Sequence, residues 1–227
     1  ADRLASVGLQ PLVTIMPLGQ AEYPLTAAND VRRDLGLSDR GPVVGTFGYL
    51  LPHKGVLETI RAVRLLRSQY PDVMYIAACS LYPHQMSLVY LQQCRLEIIE
   101  SGLLGSVMLI TDFLPESVAM TVLTACDVLA LPYQPTTESA SAAIRFALSA
   151  HRPTVVTDQE IFRSIERAVH LIAEASPEAI AAGLARVLED PDYGETLVRS
   201  GFDLLKSAGW TAIGVQYRGI LAAASGR

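Results

Sequence analysis

Residues 42–55 read PVVGTFGYLLPHKG: an apolar run, a glycine, a proline, and then Lys54 between His53 and Gly55. The run from Pro42 to Phe47 is too short for a helix. It is also too continuous to face water on one side, so it reads as a strand buried on both faces. A helical pattern begins near Val56, with Leu57, Ile60 and Val63 on one side and Arg64 and Arg67 on the other. That is the 3.6-residue period of an amphipathic helix, and Pro71 ends it. Lys54 therefore sits on a strand-to-helix loop, the place where α/β proteins hold phosphate.

The same alternation continues in both directions. Further strand candidates are LVTIM (12–16), VMYIAAC (73–79), SVMLITDF (106–113), VLALPY (128–133), TVVT (154–157) and VHLIAE (169–174). Helix candidates cover 57–68, 86–101, 117–126, 139–150, 177–188 and 194–208. Strands alternating with helices at this spacing predict a doubly wound α/β fold: an open parallel sheet with helices on both faces and right-handed crossovers. Ligands of such sheets gather at the carboxyl ends of the strands. No internal repeat, low-complexity tract or linker divides the chain, which argues for one globular unit.

Composition narrows the function. Of 227 residues, 50% are hydrophobic, enough for a sizeable core. A net charge of -5 and the lack of any Lys/Arg-rich block argue against nucleic acid as a partner. No apolar run approaches the roughly 20 residues of a membrane span. The first residues, ADRLASVGLQ, lack the charged-then-apolar layout of a secretory signal, and a cytoplasmic location is expected. The three cysteines, Cys79, Cys94 and Cys126, lie far apart without a CxxC spacing. They point to buried thiols rather than to disulfides or a zinc site.

Familiar phosphate motifs do not explain Lys54. A Walker A loop needs glycine before its lysine and a hydroxyl after it, whereas His53 precedes and Gly55 follows. The dinucleotide fingerprint needs three glycines, and GTFGYL supplies only Gly45 and Gly48. What remains is a glycine-ended strand, a stiffening proline and a lysine at the start of a helix, which suit an anion at the helix's positive end. The competing reading is a solvated surface lysine.

The second informative stretch is ALPYQPTTESASAAIRFALSAHRPTVVT (130–157). Its loop carries Glu138 to the mouth of the sheet, and its helix packs Ala143, Ile144, Ala147 and Leu148. Small residues at Ser139, Ala140 and Ser141 let a ligand approach the N–H groups of the first helical turn. The competing reading makes Glu138 a first-turn carboxylate that complements the helix dipole. His53 is open to either a ligand contact or plain solvation. His84 and His151 read as structural, the latter at a helix C-terminus where positive charge suits the dipole. Asp190-Pro191-Asp192 follows LARVLE rather than a strand, so it reads as an acidic helix-ending turn and not as a metal motif.

The order GYLLPHKG, TACDVLALPY, then Glu138 followed after a short helix by ALSAHRPTVV resembles the C-terminal domain of retaining glycosyltransferases of the GT-B fold, group 1 or family 4. PLVTIMPLGQ is similar to that family's interdomain hinge and GWTAIGVQYRGIL to its final helix. On this resemblance, residues 1–20 are the end of an N-terminal domain or a hinge. Residues 21–227 are then a Rossmann-like donor-binding domain with a C-terminal helix, one half of a GT-B architecture. The implied reaction moves a sugar from a nucleotide-diphosphate sugar to an acceptor, with no further cofactor and no metal.

The resemblance also assigns residues. Lys54 and Glu138 are the implied catalytic pair, Lys54 on the donor diphosphate and Glu138 on the donor sugar. Gly48, Tyr49, Ser139, Ala140, Ser141 and Ala142 complete the implied diphosphate and sugar contacts, and Phe113 and Leu114 lie where the base would fall. Two positions depart from the family pattern. Tyr49 stands where the family has a diphosphate-binding arginine, and Phe146, eight positions after Glu138, where it has a ribose-binding glutamate. Phe146 is expected instead to turn its ring into the helix–sheet core. Ser139, Ala140 and Ser141 replace a Gly-aromatic-Gly run. The implied partners are a nucleotide sugar and a glycan, lipid-linked or other acceptor presented by an N-terminal domain, in an enzyme free to associate peripherally with a membrane. The alternatives are a non-catalytic nucleotide-binding or assembly module derived from a glycosyltransferase, and a nucleotide-sugar epimerase of similar architecture.

Overall fold

Six of the short apolar runs form strands: β1 (Val43–Tyr49), β2 (Met74–Ser80), β3 (Val107–Ile110), β4 (Val128–Leu131), β5 (Thr154–Thr157) and β6 (His170–Ile172). All pair in parallel, in the order β3-β2-β1-β4-β5-β6. The structure is a computed structural model that describes Met16, Gly19, Tyr23 and residues 28–37, 41–138 and 140–225. The expected strand 12–16 and the hinge expected within 1–20 lie outside the described residues, apart from Met16 and Gly19.

Helices cover both faces, as the continuous apolar strands require. On one face α2 (Val56–Leu66), α3 (Gln85–Glu100) and α6 (Pro177–Glu189) bury Val44, Tyr75, Ala77, Val128, Ala130 and Val155. On the other, α1 (Ala28–Asp34), α4 (Glu116–Thr124) and α5 (Ala142–Ser149) enclose Val43, Ile76, Ala78, Leu129, Leu131 and Val156. Successive strand residues point to opposite faces, so each strand feeds both cores. Full burial of each large aliphatic side chain contributes about 1.5 to 3 kcal/mol. Two further helices, α7 (Pro191–Ala208) and α8 (Trp210–Ser225), close the chain.

A short polar chain stitches the centre of the sheet. The Tyr75 hydroxyl donates to Thr46 Oγ1 at 2.9 Å, and Thr46 Oγ1 donates to the Ala130 carbonyl at 2.9 Å, linking β2, β1 and β4 inside the core. Strand order reverses between β1 and β4. The carboxyl ends of these two strands open the crevice where doubly wound sheets bind ligands.

Several boundaries differ from expectation for identifiable reasons. Helix α5 starts at Ala142 rather than Ser139, because Ser141 is its cap: Ser141 Oγ accepts from the Ile144 N–H at 3.3 Å. The acidic turn at Asp190 does end α6, and it also starts α7, since Asp190 Oδ1 accepts from the Tyr193 N–H at 3.0 Å. Strands β3, β4 and β6 are shorter than their apolar runs because ladder pairing ends at Ile110, Leu131 and Ile172. The segment Glu160–Ala168, not anticipated as a helix, is a 3-10 helix that buries Phe162, Ile165 and Ala168. Their spacing of three matches its three-residue turn. His84 caps α3 by accepting from the Met86 N–H at 3.1 Å, a structural role. The charge expected on His151 is disfavoured, because burial and the neighbouring Arg152 push its pKa down.

Cys79, Cys94 and Cys126 are free and buried. Burial pushes each thiol up to about 12. Because the thiolate is the reactive form, iodoacetamide at pH 8 should leave all three unmodified in the folded chain and label all three in guanidinium. Intact-mass measurement checks this; rapid labelling of the folded chain would contradict the burial.

Candidate functional site

The loop after β1 is wedged against the end of β4. Gly48 has φ 138° and faces Ala143, and the Leu50 N–H then donates to the Ser80 carbonyl at 2.8 Å. One 3-10 turn, Pro52–Lys54, follows, and Gly55 with φ 74° ends it and opens α2. From the other strand, Tyr133 is held by two bonds. Its carbonyl accepts from Thr157 Oγ1 at 2.7 Å, and its hydroxyl lies 3.0 Å from Ser141 Oγ. The Gln134 N–H donates to the His53 carbonyl at 2.8 Å, so the two loops are tied through their backbones.

Within this frame Lys54 is only 11% exposed, which excludes the solvated surface lysine. Its Nζ donates to Glu138 Oε2 at 2.7 Å and lies 4.0 Å from the centre of the Tyr133 ring. The other oxygen, Glu138 Oε1, is 2.9 Å from His53 Nε2. Glu138 therefore precedes α5 and is turned toward the β1 loop, which corrects the reading of it as a first-turn carboxylate. Burial raises its carboxyl pKa, but the bonds and charges of Lys54 and His53 outweigh that effect and hold it below the ordinary value. The carboxylate is ionised and acts as acceptor for both neighbours.

A cavity of about 310 Å³ opens between the two loops. Gly48, Tyr49, Lys54, Phe113 and Leu114 line it from one side, and Glu138, Ala140, Ser141 and Ala142 from the other. These are the residues expected from the sequence, except Ser139, which lies outside the described residues. Phe113 is 78% exposed at the mouth, and Tyr49 meets Tyr82 edge to face at the rim, 5.3 Å between centres. Lys54 is the one basic side chain among the described lining residues. The first-turn N–H groups of α5 supply further positive potential. Among the described residues no group of three or more His, Cys, Asp or Glu side chains is arranged to hold a metal ion.

Sequence reasoning missed part of the lining: Phe47, Ser80, Glu116, Tyr133 and Ala143. Phe146 both lines the cavity and sits in the core, 7% exposed. Its ring stacks on Phe47 at 4.5 Å, and Tyr23 meets it edge-on at 5.2 Å. Tyr23 in turn donates to Glu116 Oε2 at 2.6 Å, and burial together with that carboxylate pushes the phenol up to about 12. The one available signal was position, since Phe47 and Tyr133 lie close to the carboxyl ends of their apolar runs. Phe146→Ala should destabilise the chain by about 3 kcal/mol, the lower end for a buried ring because one edge already faces open space. Chemical denaturation measures this; an unmoved midpoint would contradict the stacked core position.

The glycosyl transferases group 1 family matches residues 28–202. The chain belongs to the glycosyl transferase group 1 family. This group 1 chain has no match among curated protein sequences, but solved structures share its fold. The C-terminal domain of a group 1 glycosyl transferase, LpcC from Francisella tularensis, superposes with a TM-score of 0.70 at 17% identity, covering 85% of this chain and 97% of that one. Anabaena Alr3699/HepE in complex with UDP-glucose gives 0.74 at 20% identity, covering 87% and 54%. Sucrose-phosphate synthase from Thermosynechococcus elongatus gives 0.74 at 20% identity, covering 97% and 57%. The group 1 chain thus has the fold of a GT-B C-terminal domain and spans little more than half the length of the two longer proteins. No described helix is long and apolar enough to cross a membrane.

Proposed function

We propose that this chain is the donor-binding half of a retaining glycosyltransferase and that the cavity between β1 and β4 holds a nucleotide-diphosphate sugar. The observation that carries the reading is the meeting of Lys54 and Glu138, 2.7 Å apart at the switch point of a group 1 fold. As the bond from sugar to phosphate breaks, negative charge grows on the diphosphate and positive charge on the sugar ring. Lys54 and the first-turn N–H groups of α5 face the growing anion, which is where fixed donors lower a barrier. Glu138 accepts from a sugar hydroxyl. Phe113 and Leu114 lie at the open end, where the base would rest. Phe146 offers the ribose a ring face and no acceptor. The acceptor substrate, a glycan, a lipid-linked sugar or another group, would come from an N-terminal domain, and cytoplasmic action is part of the same proposal.

Tyr49 and Phe146 favour a second reading, a nucleotide-binding module that no longer transfers sugar, because neither supplies the charge that the family places there. A thermal-shift screen against nucleoside diphosphates and their sugars separates the two. A ligand at about 100 times its Kd stabilises the folded chain by about 2.7 kcal/mol. Larger shifts with a sugar nucleotide than with its bare diphosphate at equal concentration support the transferase, and equal shifts support the module. No shift with any pair would contradict both.

A further inference from the structure

We propose that His53 is a positioning residue that keeps Glu138 at the sugar subsite once the donor diphosphate has taken Lys54. The inference rests on the donor-site reading above. In the structure each carboxylate oxygen of Glu138 has its own partner, Lys54 Nζ on Oε2 at 2.7 Å and His53 Nε2 on Oε1 at 2.9 Å. An ionised carboxylate only accepts, so His53 Nε2 carries the proton in this bond. A diphosphate arriving at Lys54 competes with Glu138 for one ammonium, and two neighbouring anions repel. The bond from Lys54 to Oε2 is the one the anion displaces. The His53 bond is on the other oxygen and is left in place.

His53 is built to survive that exchange. It belongs to the 3-10 turn Pro52–Lys54. Its carbonyl accepts the Gln134 N–H at 2.8 Å, tying the turn to the loop that carries Glu138 without using Lys54. Its ring stands perpendicular to Tyr133, centres 6.3 Å apart, and its side chain is mostly buried. With Oε1 held, Oε2 is freed toward the cavity that Glu138 lines. A sugar hydroxyl there replaces the lost ammonium. A bare diphosphate displaces the same bond and returns nothing, so the preference for a sugar-bearing donor over its bare nucleotide depends on His53.

The test is a set of calorimetric titrations with UDP and UDP-glucose, GDP and GDP-mannose, and ADP and ADP-glucose, read on the pair that the wild type binds. His53→Phe should weaken the sugar nucleotide by about 3- to 10-fold, the worth of one partly exposed charge-assisted hydrogen bond. The bare diphosphate should move less than about 2-fold on the same scale. His53→Gln, which keeps an N–H donor, should recover most of the loss. In a Glu138→Ala background, which removes the acceptor, His53→Phe should add nothing. If His53→Phe does not fold, His53→Ala carries the same comparison. Equal losses for both ligands, no loss for either, or a full loss persisting beside Glu138→Ala would overturn the role of His53. Failure of the wild type to bind any pair would overturn the donor reading and this inference with it, whereas binding without the split overturns this inference alone.

Discussion

Gly55→Ala should lower the stability of the folded chain by about 3 to 5 kcal/mol. Two effects add. The residue has φ 74°, a left-handed conformation that costs an alanine roughly 1 to 2 kcal/mol. A Cβ there would also fall 2.3 Å from the Pro132 carbonyl oxygen and 2.9 Å from Pro132 Cγ. Backbone cannot step aside as a flexible side chain can, so relief means prising the Pro52–Lys54 turn off the end of β4 and parting Lys54 from Glu138. Gly36→Ala is the matched control. Gly36 has φ 65° with nothing within 4 Å of the added carbon, so only the conformational cost applies, about 1 to 2 kcal/mol. Denaturant titration of the three chains gives both numbers; a Gly55→Ala chain as stable as Gly36→Ala would mean that the loop is not wedged as described.

Lys54→Ala should weaken nucleoside-diphosphate binding by roughly 10 to 100 times, or about 1.4 to 2.8 kcal/mol, the worth of a hydrogen bond to a charged group. The fold should be little affected. The ion pair with Glu138 is worth about 1 kcal/mol or less, because the carboxylate is 37% exposed, and the contact with the Tyr133 ring adds a similar amount. The titration belongs at neutral pH. Glu138 has a folded-state pKa below its unfolded value. Its pairing therefore contributes fully above the unfolded carboxyl pKa and is lost as pH falls through the lower, folded one. At neutrality both chains are compared with Glu138 ionised. Unchanged affinity would return the anion site to some other group.

The sheet was legible because its strands are buried on both faces, and runs such as PVVGTF and VLAL carry that burial on their surface as unbroken hydrophobicity. Lys54 and Glu138 were legible as residues but not as a pair. They stand 84 positions apart, and only the reversal of strand order between β1 and β4 brings their loops together. The late start of α5 has the same origin. Several residues of TTESAS could cap a helix; the bonds from Lys54 to Glu138 and from Tyr133 to Ser141, which favour Ser141 as the cap, are tertiary. Phe47, Tyr133 and Phe146 were hidden for the opposite reason, since an apolar residue near a strand end or in a helix looks the same whether it fills the core or walls a cavity. The 3-10 helix at Glu160–Ala168 shows a period of three that falls between the two templates commonly sought.

A crystal structure of the chain with the sugar nucleotide that it binds tests the donor site most directly, through one distance, from Lys54 Nζ to the nearest diphosphate oxygen. The expected result is about 2.8 Å, with Glu138 released from Lys54 and within hydrogen-bond reach of a sugar hydroxyl. A nucleotide bound away from the cavity between β1 and β4, or a diphosphate held elsewhere while Lys54 stays paired with Glu138, would contradict it.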